Sequence, residues 1–317
     1  MQLTPLWVPW ADWCQTHGLG QPQRLGANGQ TRFELRTAYG PMTVAPGNRI
    51  ATWNGLGFWL GFTPQLQEGR LCLHALDVHK TLLPLVSPPK PWLTTNDLIV
   101  IDPGHGGKDP GTQSVSNSHW EKEYTLDWAQ RLRAKLVRRG WRVLLTRTND
   151  CNLSLSDRVA IADQNQASLF LSLHFNSVSS ATAAHGVETY CLTPAGMPSS
   201  IVRTAEHDLA QSYPNNVFDC QNFLLAVQLH QALLKVTGAA DRTVRRARFL
   251  GVLRPQARPS VLIEGGYLSN PQEAQRIADP VYRQKLSEAV ARVLEAQLAA
   301  AAAPTVPSSA ATTPIDP

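Results

Sequence analysis

The spacing of hydrophobic residues changes partway along the chain and separates two regions. Up to about residue 85, short apolar runs alternate with turn signals such as Pro46-Gly47-Asn48 and Asn54-Gly55. Runs of this kind predict a small β-rich domain with hairpins over residues 1–85. Residues 86–96 contain Pro88, Pro89 and Pro91, and this density of proline predicts an extended linker.

Beyond the linker, apolar runs of strand length alternate with segments of helical spacing. The predicted strands are residues 97–101, 142–145, 169–173, 187–191 and 260–264. The predicted helices are residues 121–139, 155–162, 222–236 and a last stripe ending near Leu294. This alternation predicts an α/β domain over residues 97–298, with a mostly parallel sheet flanked by helices. Residues 299–317 are rich in Ala, Pro, Ser and Thr and are expected to be disordered.

Composition excludes several classes of protein. The net charge is +5, and the basic residues are scattered apart from a cluster at residues 242–248. Scattered basic residues give little support for nucleic-acid binding. The five cysteines form no CxxC pair, so we expect buried thiols rather than a cysteine zinc site. One or two disulfides are the alternative. No segment has the length and apolarity of a membrane span. Residues 1–20 show no signal peptide, so the protein is either cytoplasmic or begins after a removed leader.

Two histidines follow buried strands in the same topological position. His105 lies in a glycine-rich loop after the apolar run 99–101, and His174 ends the run 169–173. Ligand sites in open α/β sheets lie at the carboxyl ends of strands, so both rings are expected to face one crevice. A single strand-end histidine is usually structural, but two in matched positions favour a metal or catalytic pair. The loop does not have P-loop spacing, and no HExxH motif is present.

Two glutamates complete the candidate site. Glu264 follows the apolar residues 260–263, where a charge is costly unless it is paired, near a metal or at a wet crevice. Glu121 opens a predicted helix, and helical spacing places it on the stripe that faces the sheet; the alternative is a solvent-facing carboxylate stabilised by the helix dipole. Two histidines and one carboxylate are a common catalytic zinc set, and a second carboxylate can then act as base and acid. His185 and Glu188 are interpreted as structural.

Several motifs, in order, resemble the zinc-dependent N-acetylmuramoyl-L-alanine amidases of the amidase-3 type. They are residues 99–110 (IVIDPGHGGKDP), 121–122 (EK), 155–163 (LSDRVAIAD), 172–176 (SLHFN), 186–190 (GVETY) and 261–271 (VLIEGGYLSNP). The resemblance implies zinc binding by His105, Glu121 and His174, with Glu264 as the catalytic residue. It also implies hydrolysis of the amide between N-acetylmuramic acid and the L-alanine of peptidoglycan. Asp102 and Asn176 are candidates for orienting the histidines or binding substrate, or for capping local turns.

Other expectations follow from the same resemblance. Peptidoglycan and a regulatory protein are the expected partners. We expect neither nucleic-acid binding nor stable membrane insertion, and we expect a monomer. The location implied is the periplasm or the cell wall. Alternatives are a non-catalytic peptidoglycan-binding protein on the amidase fold, or a zinc hydrolase of another acyl-amino acid amide. Residues 193–219 either gate the site, through a helix at 201–210, or form a groove wall.

The first domain more loosely resembles the small stalk domain of copper amine oxidases. The residues that carry this resemblance are Met42-Thr43-Val44, Asn54-Gly55 and residues 74–83. The tryptophans at positions 7, 10 and 13 are either a glycan-binding platform or part of the core.

Overall fold

A computed structural model describes residues 6–26, 31–179, 183–202 and 208–302. The strands within these ranges are β1 (Trp7–Pro9), β2 (Gln23–Leu25), β3 (Arg32–Thr37), β4 (Gly40–Val44), β5 (Ile50–Trp53), β6 (Leu56–Trp59), β7 (Gln65–Gln67), β8 (Arg70–His74), β9 (Leu98–Pro103), β10 (Arg142–Leu145), β11 (Leu169–Asn176), β12 (Val187–Leu192), β13 (Asp241–Ala247) and β14 (Ser260–Tyr267). The α-helices are α1 (Trp10–Thr16), α2 (Ala75–Asp77), α3 (Leu83–Val86), α4 (Glu121–Arg138), α5 (Leu155–Gln164), α6 (Asp219–Thr237), α7 (Pro271–Ala278) and α8 (Pro280–Ala302). A π-helical turn (Val78–Leu82) joins α2 to α3, and a 3-10 helix (Pro214–Phe218) precedes α6.

The part of the chain from residue 98 onward forms a sheet in the order β10-β9-β11-β14-β12-β13. The pairs from β10 to β14 are parallel, β12 is antiparallel to β14, and β13 is parallel to β12. Apolar side chains of α4, α6 and α8 cover one face of this sheet and form the larger core. The predicted α/β class with a mostly parallel sheet and flanking helices is therefore confirmed, with two neighbouring strands, β12 and β13, running opposite to the other four.

The predicted small β-rich region is present, and its sheet continues that of the second half of the chain. Strands β2 to β6 form an antiparallel meander, and Phe58 of β6 pairs in parallel with Val244 of β13. The result is one eleven-stranded sheet, beside a separate sheet of β1, β8 and β7. The ring of Phe58 lies 5.8 Å from that of Phe223 on α6, so both halves also share the larger core. The domain limits 1–85 and 97–298 stay predictions.

Some details differ from the sequence predictions. Helix α8 runs to Ala302, so the disorder predicted for residues 299–302 is wrong, because alanine has high helix propensity. Residues 303–317, also predicted to be disordered, lie outside the described ones. Residues 201–202 and 208–210 are not helical, and the middle of that predicted helix also lies outside the described residues. Strand β13 was missed because four of its seven residues are charged. All five cysteines are free thiols.

Candidate active site

His105 is held in a loop that leaves the carboxyl end of β9. Its φ of 62° lies in the left-handed region, which is uncommon for a residue with a side chain and marks a constrained position. Arg158 fixes this backbone, because its guanidinium donates to the carbonyl oxygen of His105 at 2.7 Å and to that of Pro103 at 2.9 Å. The carbonyl oxygen of Gly104 accepts from Thr125 Oγ1 at 2.8 Å. The position of the imidazole is therefore set by several buried donors.

His174 lies near the end of β11, next to Glu264 on β14. The two residues are direct partners in the parallel pairing of these strands. Paired residues on neighbouring strands project to the same face of the sheet, and the strands are about 4.8 Å apart. A register shift follows His174, so the pairing is irregular beyond this point. The carboxylate predicted to act as base is thus a close neighbour of a predicted metal ligand.

Glu121 is the first residue of α4, and it is only 4% exposed. Its Oε1 lies 3.1 Å from Nε2 of His105 and 3.0 Å from Nδ1 of His174. The backbone amide of Phe175 donates to the same oxygen at 3.0 Å, and that of Thr112 donates to Oε2 at 3.2 Å. The solvent-facing interpretation of Glu121 is therefore wrong.

The three side chains form one candidate metal site. A ligand atom from each of His105, Glu121 and His174 lies within 4.8 Å of the others, close enough for one ion to bind all three. The two imidazole rings are nearly perpendicular, at 80°, with centroids 4.9 Å apart. Two neutral imidazole nitrogens and one carboxylate oxygen are a ligand set typical of catalytic metal sites.

The charges in this cluster favour an ionised carboxylate. Burial favours the neutral acid of Glu121, but hydrogen bonds from His105 and His174 outweigh it and lower the pKa of Glu121 to about 2. Burial likewise opposes protonation of His105, but hydrogen bonds and charges from Glu121 and Asp109 raise the pKa of His105. Glu121 is therefore in the anionic state that a metal ligand requires.

Asp109 is a residue of this site that the sequence reasoning missed. Its Oδ2 lies 2.8 Å from Nδ1 of His105, four residues earlier in the same loop. A carboxylate on the far nitrogen fixes the tautomer of a metal-binding histidine and raises its basicity, leaving Nε2 free to bind the ion. The signal was an acidic residue in the glycine-rich loop, although only the fold shows that this loop turns back on itself.

Asp102 and Asn176, predicted to orient the histidines, make their hydrogen bonds elsewhere. Asp102 accepts from Thr146 at 2.6 Å, from Arg158 at 2.6 Å and from Ser172 at 2.9 Å. It is therefore joined to the backbone of His105 through Arg158. Asn176 donates to the buried carboxylate of Glu188 at 2.8 Å.

Glu188, interpreted from sequence as structural, is buried in a network of five donors. Besides Asn176, they are Tyr190, Tyr267, Arg242 and Arg245. This carboxylate is the direct partner of Glu264 in the antiparallel pairing of β12 with β14. Its neighbour His185 is exposed and hydrogen-bonds only locally, to Ala183, in the described part of the chain.

A crevice of about 350 Å³ brings the candidate residues together. Its polar lining includes Glu264 and the three residues of the metal cluster, and its other walls include Leu155, Tyr190, Phe249, Leu250, Val252 and Leu262. Polar groups that converge in a crevice with apolar walls are typical of a catalytic site. The arrangement can bind a metal ion and place a separate carboxylate beside it, which suits metal-assisted hydrolysis.

Comparison with known proteins gives one consistent family. Residues 99–296 match the amidase-3 family, described as N-acetylmuramoyl-L-alanine amidase. The amidase LytC of Bacillus subtilis (strain 168) is 33% identical over 194 residues, which are 61% of this chain and 34% of LytC. The amidase AmiA of Salmonella typhimurium (strain LT2) is 30% identical over 227 residues, with 65% of this chain and 78% of AmiA covered. The chain thus covers about a third of LytC but most of AmiA.

The fold agrees with a solved amidase structure. The catalytic domain of CwlV from Bacillus (Paenibacillus) polymyxa var. colistinus has a TM-score of 0.53 and 29% identity, and the match covers 64% of this chain and 98% of that domain. All of these matches leave about a third of this chain uncovered. The N-terminal region before residue 99 lies outside the matched family range.

Proposed function

This chain belongs to the N-acetylmuramoyl-L-alanine amidase family, and we propose that it is a zinc enzyme that cleaves the amide between N-acetylmuramic acid and L-alanine in peptidoglycan. One observation carries the proposal: the cluster of His105, Glu121 and His174 shares a crevice with Glu264. The donor set of two imidazoles and one carboxylate fits zinc, which accepts three protein ligands and keeps one position open in catalytic sites. The match to the amidase-3 family supports metal dependence.

The residues of the site have separate roles in the proposed hydrolysis. A bound zinc ion would polarise the scissile carbonyl and lower the pKa of a coordinated water. Glu264 takes a proton from the attacking water and later returns it to the amine nitrogen that departs with L-alanine. Water is consumed, the C–N bond breaks, and the products are a lactyl carboxylic acid and a free stem peptide. Glu121 stays a ligand, held by the amides of Phe175 and Thr112.

A second candidate is a protein that binds peptidoglycan without cutting it. The presence of Glu264 beside His174 favours the enzyme, since a binding protein has no use for a base next to a metal site. A zinc hydrolase of another acyl-amino acid amide would use the same residues, because the site fixes the chemistry more tightly than the substrate.

A digestion experiment separates these candidates. Purified murein is incubated with the zinc-loaded protein, with and without a chelator, and the soluble products are identified by mass spectrometry. The amidase releases free stem peptides from intact glycan, and the chelator abolishes this release. Bound zinc with no release of stem peptides would support the binding protein. Activity only on small acyl-amino acids would support the other hydrolase.

Replacement of Glu264 tests its role as base. Because general acid–base catalysis contributes roughly 10²–10⁴-fold, Glu264→Ala should lower kcat by about this factor while zinc stays bound. His105→Ala is the matched variant, since it should lose both zinc and turnover. Normal turnover by Glu264→Ala would show that another group is the base.

The site of action follows from the proposed substrate. We place the protein in the periplasm or at the cell wall, where peptidoglycan lies. Within the described residues, no helix combines the length and apolarity needed to cross a membrane. The expected monomeric state and regulatory protein stay predictions.

A further inference from the structure

Two arginines on β13 bind Glu188, a buried carboxylate next to residues that line the crevice. Nε of Arg242 is 3.1 Å from Oε1 of Glu188, and a terminal nitrogen of Arg245 is 3.3 Å from the same oxygen. Glu188 is 2% exposed, whereas the side chain of Arg242 remains 32% exposed. The side chain of Arg245 is 17% exposed. Two cations therefore share one buried carboxylate, and both remain partly accessible to solvent.

The order of the strands shows where the two arginines lie relative to the crevice. Glu188 on β12 lies between Glu264 on β14 and the two arginines on β13. Glu264 faces the crevice with the metal cluster, so the arginines lie on the far side of Glu188. Asn176 lines the crevice and donates to Glu188, which links the two locations directly.

The N-terminal region supports these arginines from the other side. The guanidinium of Arg245 lies 5.9 Å from the ring centroid of Trp59 on β6, within reach of a cation–π interaction. Nε1 of Trp59 donates to Thr243 at 2.9 Å, and the amide of Gly57 donates to Asp241 at 2.7 Å. The start of β13 is thus fixed between β12 and β6. By contrast, of the three tryptophans predicted as a glycan platform or as core, Trp10 and Trp13 are buried in the core and Trp7 is half-buried.

We propose that Arg242 and Arg245 form a subsite for a carboxylate of the stem peptide, and that Trp59 of the N-terminal region positions Arg245. The inference rests on the proposed function, because the stem peptide that follows the scissile amide carries free carboxylates. Two strand spacings of about 4.8 Å separate β14 from β13. A peptide that extends by about 3.3 Å per residue covers this distance within three residues of the scissile bond. Arginine suits the task, since its planar guanidinium binds carboxylates with paired hydrogen bonds.

The test compares two forms of one soluble glycan–peptide fragment. In one form the stem carboxylates are free, and in the other they are converted to amides. Binding to Glu264→Gln protein is measured by calorimetry, and hydrolysis is measured separately with protein that keeps Glu264. The proposal predicts that the free form binds about tenfold more tightly, because one exposed charge-assisted hydrogen bond is lost on amidation. In hydrolysis the difference should appear in KM rather than in kcat.

Single substitutions assign the preference to the arginines. Arg242→Gln should remove most of the preference for the free form, whereas Arg292→Gln, which removes an arginine paired with Glu288 on α8, should keep it. Trp59→Leu should weaken the preference about threefold through Arg245, whereas Trp7→Leu, in the separate sheet, should not.

The outcomes distinguish the two proposals. Equal binding of both forms, or an unchanged preference in Arg242→Gln, would overturn the subsite. A normal binding preference without any hydrolysis by the protein that keeps Glu264 would refute the proposed function and leave the subsite supported.

Discussion

Asp109 offers a sharp test of how the metal site is organised. Its carboxylate makes one hydrogen bond to the imidazole of His105, at 2.8 Å, and its side chain is 61% exposed. Partners of this kind typically contribute about 10–100-fold to metal affinity. Because solvent screens so exposed a carboxylate, the lower end applies, and Asp109→Ala should weaken zinc binding about tenfold, or about 1.4 kcal/mol.

The assay is competition for zinc with a chromophoric chelator of known affinity. Glu123→Ala is the matched control, since Glu123 also binds an imidazole, that of His119 at 3.0 Å, but His119 lies outside the metal cluster. Both variants should unfold within a few degrees of the parent, and the control should bind zinc normally. Unchanged zinc affinity in Asp109→Ala would refute the view that this carboxylate fixes the tautomer of His105.

Three further predictions concern the support of the site. Asp102→Asn should destabilise the fold by about 3–5 kcal/mol in denaturant unfolding, because Arg158 would keep a buried charge without its carboxylate; a loss below 1 kcal/mol would contradict this. Gly104→Ala should weaken zinc binding in the same competition assay, since the added carbon would lie 2.2 Å from the ring of His174; normal affinity would show that the loop relaxes. Burial raises the pKa of Asp127, but hydrogen bonds from Arg131 and Arg283 outweigh it and lower that pKa. Its contribution to stability is present above the unfolded value of about 3.9 and is lost as the pH falls through the lower folded value. Between about pH 5 and pH 2.5, the melting temperature of Asp127→Asn should therefore fall less than that of the parent. Equal falls in melting temperature would contradict the assignment.

The sequence predicted well where a residue's role follows from its place on a strand. Apolar runs located the strands that carry His174 and Glu264, and the structure places these residues side by side. Glu121 was harder, since a glutamate in a first helical turn is usually solvated. Its burial depends on the amides of Phe175 and Thr112, which are distant in sequence.

The missed features depend on contacts between distant segments. Strand β13 has a polar sequence because Arg242, Arg245 and Arg246 are bonded to partners from other elements. No local pattern distinguishes such a strand from a solvated loop. Likewise, the proline-rich residues 88–91 suggest two separable units, whereas the pairing of Phe58 with Val244 is visible only in the fold.

The shared sheet has a consequence for the proposed action on peptidoglycan, which is an insoluble polymer. A binding module on a flexible linker can move over a surface independently of the catalytic unit, and the length of the linker sets how far the module reaches. Here β6 pairs with β13, and Arg246 donates to Thr81 and to the carbonyl of Lys80, so the N-terminal region cannot swing independently. On the proposed substrate, the whole molecule would have to align with the polymer at once, and its orientation at first contact would decide whether a scissile bond enters the crevice.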